Sequence, residues 1–436
     1  MKMNEKDDIL ELHKKIFLTH GYRWKKGVIS ILYKGNIFLY NTLTGSYVRV
    51  INFNKIYKNK KTIFINNNEL INKLEFLSLI TKQNKNEEEI NYFKFLNSLQ
   101  QKSKTLNYTI APTLNCNLEC SYCFVKKGSI SMSDKNADFL GNYIKDKYYQ
   151  TGKDVNITWY GGEPLLDIKL INKISLFLRK NKVRFFSNIV SNGLLINREI
   201  INYLQDSNVS EIQLTLDGYK IDHNITRNFS NNKLDTYSII LKSAEILISN
   251  NFNLKIRINC SSDNINNIPK ILECKNFLKL DKSKFRIYFE TIDKYYKGFS
   301  IYLKLKRLIK LFSNAEYKVL DNFSKKSLYF SCSALRNDDY CIGPKLELYD
   351  CYSDFGNKNR VMGILGRSNV IKSFYTSINI LPSICRDCSV LAFCYAGGCP
   401  YKLIHGYFRY DKSFCKDFKK TIYNRLVMKL FNKYEN

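Results

Sequence analysis

Between residues 107 and 289 the chain alternates six β-rich runs with segments of helical pattern, and nothing else in its 436 residues restricts the fold as much. The runs cover residues 107–113, 155–160, 183–190, 211–216, 254–259 and 285–289. Strands separated by helices of about 10 to 17 residues need crossover connections. These are right-handed and give a parallel sheet with its reactive side chains at the carboxyl ends of the strands. Six such units predict an α/β fold, an open, partial (β/α)6 barrel of TIM-like type over residues 105–320.

Different patterns flank this stretch. Residues 28–33 and 36–40 are short apolar runs and residues 69–80 have helical spacing; together they resemble a small winged-helix module over residues 1–95. A charged, Asn-rich stretch, residues 82–89, reads as a linker to a helix over residues 90–101. Past residue 320 the alternation stops and Cys332, Cys341, Cys351, Cys385, Cys388, Cys394, Cys399 and Cys415 follow. Cysteines crowded in this way predict a small metal-organised domain over residues 325–425.

Hydrophobic residues make up 44% of the chain and aromatic residues 14%, enough apolar surface to offset the entropy of folding and to exclude a disordered chain. With 69 Lys and Arg against 39 Asp and Glu, the net charge of +30 attracts nucleic acid, anionic membranes or an acidic peptide. The lysines are spread along the chain, so the charge singles out no partner by itself. There is no apolar run of some 18 residues and no apolar segment behind the N-terminal Met-Lys-Met-Asn-Glu-Lys-Asp-Asp, so a cytoplasmic protein without membrane association is expected. In that reducing compartment 13 cysteines point to metal rather than disulfides.

Cys116, Cys120 and Cys123 follow the first predicted strand with the spacing C-x3-C-x2-C. Three thiolates leave one iron of a [4Fe–4S] cluster open to a further ligand, whereas a structural zinc site is closed by a fourth and favours paired C-x2-C spacings. Tyr122 completes C-x3-C-x-aromatic-C, and on these residues the chain resembles the radical S-adenosylmethionine (SAM) enzymes. The resemblance continues in order along the strands. It implies that Tyr122 lies beside the adenine of SAM and that the loop Gly161-Gly162-Glu163-Pro164 holds the SAM amino group. Ser191-Asn192-Gly193 and Thr215-Leu216-Asp217-Gly218 would contact the ribose and carboxylate. Arg227 would pair with the carboxylate, and Arg257-Ile258-Asn259 would line the adenine side, with Ile258 as the contact.

The spacing Cys385-x2-Cys388-x5-Cys394-x4-Cys399, followed by Cys415, resembles the SPASM extension of such enzymes, which binds auxiliary [4Fe–4S] clusters; Cys332 and Cys351 complete its seven cysteines. One or two auxiliary clusters are implied, one closed on Cys385, Cys388, Cys394 and Cys415, and most of another on Cys332, Cys351 and Cys399. The chain departs from that pattern in the four-residue gap before Cys399, where three is usual, and in Leu346, where a turn glycine is common. Cys341 is a candidate further ligand, but its apolar setting fits a core cysteine equally well. Cys260 and Cys274 read as structural.

A basic chain with a winged-helix-like module ahead of such a barrel resembles the maturases of ribosomally made peptides. The resemblance implies a precursor peptide whose leader is captured by strand addition, and a reducing partner such as flavodoxin or ferredoxin. The expected reaction is an intrapeptide cross-link, a cysteine thioether of the sactipeptide or ranthipeptide type. Carbon–carbon cyclisation and anaerobic sulfatase maturation are alternatives. The sulfatase-maturating enzymes have Asp after the cysteine that Cys351 matches; here Tyr352 follows, leaving Tyr352 and Asp354 as candidate proton acceptors. Nucleic acid is not expected as a partner. A zinc-organised nucleic-acid-binding protein is the reading from another class, supported by the charge and the cysteines.

Overall fold

The computed structural model describes residues 16–18, 21–33, 36–50, 63–65, 67–101, 103–227, 234–292, 298–320, 332, 334, 336, 338–367, 383–394, 399, 401, 405, 415, 416, 419, 422 and 426. The chain divides into two compact units, one made of residues 1–100, 326–332 and 377–436, the other of residues 101–325 and 333–376.

In the first unit, β1 (Ile16–Leu18) pairs in parallel with β6 (Ile63–Ile65), and β2 (Arg23–Trp24) pairs antiparallel with β7 (Ile80–Thr81). β3 (Val28–Tyr33), β4 (Asn36–Asn41) and β5 (Tyr47–Val50) form an antiparallel meander, with Ile29 opposite Tyr40 and Leu39 opposite Val48. Ile29, Ile31, Phe38 and Tyr40 from this meander share one core with Val390, Phe393, Ile422 and Leu426. The N-terminal sheet is thus packed on the cysteine-rich C-terminal segment.

Helix α1 (Asn68–Phe76) is capped by Asn67, whose side chain accepts from the Leu70 N–H. It ends earlier than its periodicity predicts because Ser78 takes φ 57°, which brings the Leu79 N–H to the Leu74 carbonyl and directs Ile80 into β7. Helix α2 (Lys85–Gln101) begins inside the stretch read as a linker. The reason is tertiary. Glu88 is buried, pairs with Arg23 and accepts from the Lys26 N–H at 2.5 Å, while residues 82–87 of the same run are exposed.

In the second unit, β8 (Leu106–Thr113), β9 (Val155–Gly161), β10 (Phe185–Ser191), β11 (Val209–Leu216), β12 (Asn253–Cys260) and β13 (Phe285–Thr291) lie side by side in chain order, all parallel. Between and after them run α3 (Asp134–Thr151), α4 (Ile168–Lys180), α5 (Arg198–Asp206), α6 (Lys220–Thr226), α7 (Thr236–Ser249), α8 (Lys275–Leu278) and α9 (Gly298–Asn314). Unbroken strand order with right-handed crossovers puts the helices on one face of the sheet. Ile157, Trp159, Ile189, Leu214, Ile256 and Phe289 pack there with Leu140, Ile171, Leu204 and Leu241 in one core. Each such buried side chain contributes about 1.5–3 kcal/mol.

The sheet continues past the last expected strand. β14 (Asp339–Ile342) adds in parallel beside β8, and β15 (Glu347–Tyr349) and β16 (Gly363–Ile364) follow antiparallel, so nine strands among the described residues form one sheet. Cys341 lies on β14, buried with Ala111, Leu114, Val125 and Tyr349. Leu346, in the turn before β15, has φ 64°, the left-handed conformation that glycine adopts more easily. Among the described residues no helix is long and apolar enough to cross a membrane.

Candidate active site

Beyond the carboxyl ends of β9 to β12, and under the loop that follows β8, lies a cavity open to solvent. Cys116, Cys120 and Cys123 line it together with Tyr122, Gly161, Gly162, Glu163, Ser191, Asn192, Thr215 and Arg227. Residues singled out on separate strand ends therefore meet in one place.

The two glycines explain how the cysteine loop reaches the second strand. A Cβ at Gly162 would lie 2.0 Å from the Asn115 carbonyl oxygen, and one at Gly161, which has φ 117°, would lie 2.5 Å from that of Thr113. Without side chains the two backbones bond directly, Gly162 N–H to the Thr113 carbonyl at 3.0 Å and Glu163 N–H to that of Asn115 at 2.8 Å.

Glu163 is 1% exposed. Its carboxylate accepts from the Asn192 N–H at 2.7 Å, the Ser191 hydroxyl at 2.8 Å and the Leu165 N–H at 3.1 Å. Burial pushes its carboxyl up to about 7 against these hydrogen bonds, which favour the charge. Pro164 opens the short 3-10 turn behind it.

Asp217 is the hub of a second network. It accepts from the Tyr122 hydroxyl at 2.9 Å, the Asn259 amide at 2.8 Å and the Thr226 hydroxyl at 3.0 Å, with Arg227 Nε 3.2 Å from Oδ2. Its own N–H donates to Nδ1 of His223 at 3.0 Å. Burial would raise the Asp217 carboxyl, but the Arg227 charge and these hydrogen bonds outweigh it and hold it below the usual range. Burial, with Arg227 nearby, pushes His223 down to about 3, so it is a neutral acceptor. The Tyr122 hydroxyl also accepts from Arg227 at 3.0 Å and Asn259 at 3.1 Å, which fixes the ring between Cys120 and Cys123 in the chain.

The three cysteines fit an iron–sulfur cluster by donor chemistry: all are sulfur, all face one cavity, and none is disulfide-bonded. Burial pushes the Cys116 thiol up to about 11 and raises Cys120 as well, so binding to iron, which stabilises thiolate, offsets a cost these sites otherwise carry. Among the described residues no three His, Cys, Asp or Glu side chains converge on a single metal ion.

Not every sequence-selected residue faces the cavity. Ile258 is fully buried in the helix-side core; its neighbours Arg257 and Asn259 line the cavity instead. Tyr352 packs against Tyr160, with ring centroids 5.0 Å apart, and against Phe124 at 6.0 Å, while Asp354 is 2% exposed. Tyr160 and Gln213 line the cavity and were not singled out. The available signal was the two-residue period of a strand, which sets Tyr160 with Asn156 and Gln213 with Thr215.

Of the remaining cysteines, Cys351 is buried at the start of a 3-10 turn, where Sγ accepts from the Ser353 N–H at 3.4 Å. Cys385 and Cys394 lie on the short helices Ser383–Arg386 and Leu391–Cys394, with Cys388 between. Burial pushes the Cys385 thiol up to about 11, with Cys388 and Cys415 adding to the effect. Cys332 and Cys399 are half-buried.

The Radical SAM superfamily model matches residues 110–274. Over 356 residues the chain is 25% identical to the radical SAM cyclopropyl synthase TigE of Paramaledivibacter caminithermalis, spanning 72% of either protein. Over 191 residues it is 25% identical to a cysteine-type anaerobic sulfatase-maturating enzyme of Clostridium perfringens, which is 42% of this chain and 50% of that one. Similar solved structures include native anSMEcpe with bound AdoMet, at 19% identity and TM-score 0.56, covering 76% of this chain and 99% of that one. Streptococcus suis SuiB bound to precursor peptide SuiA matches at 16% identity and TM-score 0.53, covering 90% and 99%.

Proposed function

Residues 110–274 are a radical SAM domain, and the chain is an enzyme that uses a [4Fe–4S] cluster and SAM; from that premise we propose that it matures a ribosomally made precursor peptide by forming an intrapeptide cross-link, a cysteine thioether. The observation that carries this reading is the convergence of Cys116, Cys120 and Cys123 with the Gly-Gly-Glu loop and the Asp217 network on one solvent-open cavity. When bound, the cluster and SAM supply a 5′-deoxyadenosyl radical that takes a hydrogen atom from an unactivated carbon. The chain's own residues hold the reactants. Glu163 offers a buried carboxylate to the SAM amino group, Asp217 and Arg227 orient Tyr122 beside the adenine, and Ser191, Asn192 and Thr215 supply polar contacts around the ribose.

The peptide substrate is supported by relatives that act on peptides and by SuiB, whose structure holds a precursor peptide. The meander β3–β5 leaves β3 and β5 as sheet edges among the described residues, which suits capture of a leader by strand addition in a winged-helix-like module of residues 1–95. Cys388 and Cys415 lie near enough to act on the Cys385 thiol, which supports an auxiliary cluster on these three with Cys394. Cys332, Cys351 and Cys399 are the candidates for a second, while burial of Cys341 on β14 favours its core role. A cluster held there would supply an acceptor for the second electron of a two-electron oxidation, while Tyr352, whose hydroxyl burial keeps protonated, is not a proton acceptor.

The test is anaerobic co-expression with a short cysteine-containing peptide encoded beside this chain. A thioether gives a product lighter by two hydrogens in which one cysteine resists alkylation. The same mass loss with all thiols alkylated would assign a carbon–carbon bond. An unchanged peptide alongside full SAM cleavage would contradict the peptide reading.

A further inference from the structure

Two arginines line the cavity and they are held differently. Arg227 is paired with Asp217. Arg257, on β12, has no carboxylate within ion-pair distance among the described residues; Glu290, opposite Asn259 on the next strand, acts on it only from farther away.

Its partners are neutral. Arg257 Nε donates to Asn259 Oδ1 at 2.7 Å, and Asn259 is in turn fixed by its amide bonds to Asp217 and Tyr122. The Tyr288 hydroxyl donates to Gln213 Oε1 at 2.6 Å, which leaves its lone pairs to accept from Arg257. Tyr160 and Tyr352 stand close enough to act on the same charge. The guanidinium is therefore preorganised by uncharged groups, partly withdrawn from water, and backed by aromatic rings. A cation in such a setting gains most from an anion delivered into the cavity.

We propose that Arg257 is the receptor for a carboxylate on the peptide substrate, an Asp or Glu side chain near the residue that is modified, seated beside Tyr160. This rests on the peptide reading above. It makes the substrate's acidic residue a specificity determinant and assigns Arg257 to the substrate rather than to SAM.

The experiment uses the full chain with its clusters reconstituted, as wild type, Arg257→Gln and Arg257→Lys. Three probes are bound: SAM, an N-acetylated and C-amidated Ala-Ala-Asp-Ala-Ala pentapeptide, and its Asn counterpart. The wild type should prefer the Asp peptide by about tenfold or more, as expected for a partly desolvated charge pair. Arg257→Gln should abolish that preference, and Arg257→Lys should retain part of it, with SAM affinity within about threefold in all three. Equal binding of the two peptides by wild type would overturn the proposal. So would a loss of SAM affinity in Arg257→Gln larger than that in Asn259→Ala, which removes the residue Arg257 positions at the SAM site, since the carboxylate held there would then be SAM's own. Release of 5′-deoxyadenosine from SAM by each protein separates these outcomes from a failure of the enzyme reading, because it needs neither peptide.

Discussion

The two faces of the parallel sheet are built from alternate residues of the same strands, yet their chemistry is opposite. On β12, Leu254, Ile256 and Ile258 are buried against the helices, while Lys255, Arg257 and Asn259 occupy the other face. On β11 the same division sets Ile212 and Leu214 against Glu211, Gln213 and Thr215. The interior of a closed eight-stranded barrel is filled by layers of Val, Ile and Leu. Here the face away from the helices is polar, with Glu211 pairing to both Lys255 and Arg286 and Tyr288 bonded to Gln213. Stability is concentrated on one face and binding on the other, so substitutions one residue apart should separate the two properties.

The sharpest break comes where the cavity meets the backbone. Gly162→Ala places a Cβ on the Asn115 carbonyl, and neither backbone segment can yield without moving the cysteine loop. Release of 5′-deoxyadenosine should fall by at least about a hundredfold, the scale of a misplacement near 1 Å. Activity within a few fold of wild type would show that the loop is not held by this contact.

Ile256→Ala probes the helix face beside Arg257. Denaturant unfolding should show a loss of about 2–5 kcal/mol, with SAM affinity of the folded protein nearly unchanged. A variant of normal stability that binds SAM poorly would reverse the assignment of the two faces.

Glu163 gives the comparison a pH signature. Its folded pKa of about 7 lies above the ordinary 4.5, so the folded chain holds this proton more tightly than the unfolded one. Stability from this group is fully present below about pH 4.5 and is lost as pH rises through about 7, on the order of 3 kcal/mol. Glu163→Gln, whose NH2 would face the Asn192 N–H, should be the less stable protein at about pH 4.5 and should lack that slope, so the gap between the two should shift in its favour as pH rises through about 7. Parallel stability curves for the two proteins between pH 4.5 and 8 would contradict the cause given.

The smallest effect is expected at Leu346. Glycine would relieve the positive φ, about 1–2 kcal/mol, but would give up a buried side chain of about 1.5–3 kcal/mol. Leu346→Gly should lose no more than about 2 kcal/mol. A larger loss would mean that the turn depends on Leu346 packing rather than on its backbone angle.

The six strands were legible because each is a β-rich run bounded by helical spacing, and the ends found differ by at most two residues. The cavity was legible where polar residues close a strand: Glu163, Ser191, Asn192 and Thr215 are all brought together. What escaped depends on contacts distant in sequence. Glu88 reads as part of a solvated acidic run until Arg23 and the Lys26 N–H are seen to bury it. β14 joins β8 across more than two hundred residues, a pairing that no local pattern announces. Ile258 and Arg257 were taken together because they are adjacent; the alternation of the strand separates them.

The most direct test of the central claim is made on anaerobically reconstituted protein, wild type and Cys120→Ala, by measuring iron and sulfide per chain together with 5′-deoxyadenosine released from SAM under strong reductant. The account predicts iron for more than one cluster in wild type, and release that disappears in Cys120→Ala while the C-terminal cysteines still hold iron. Zinc in place of iron, or release that survives the loss of Cys120, would contradict it.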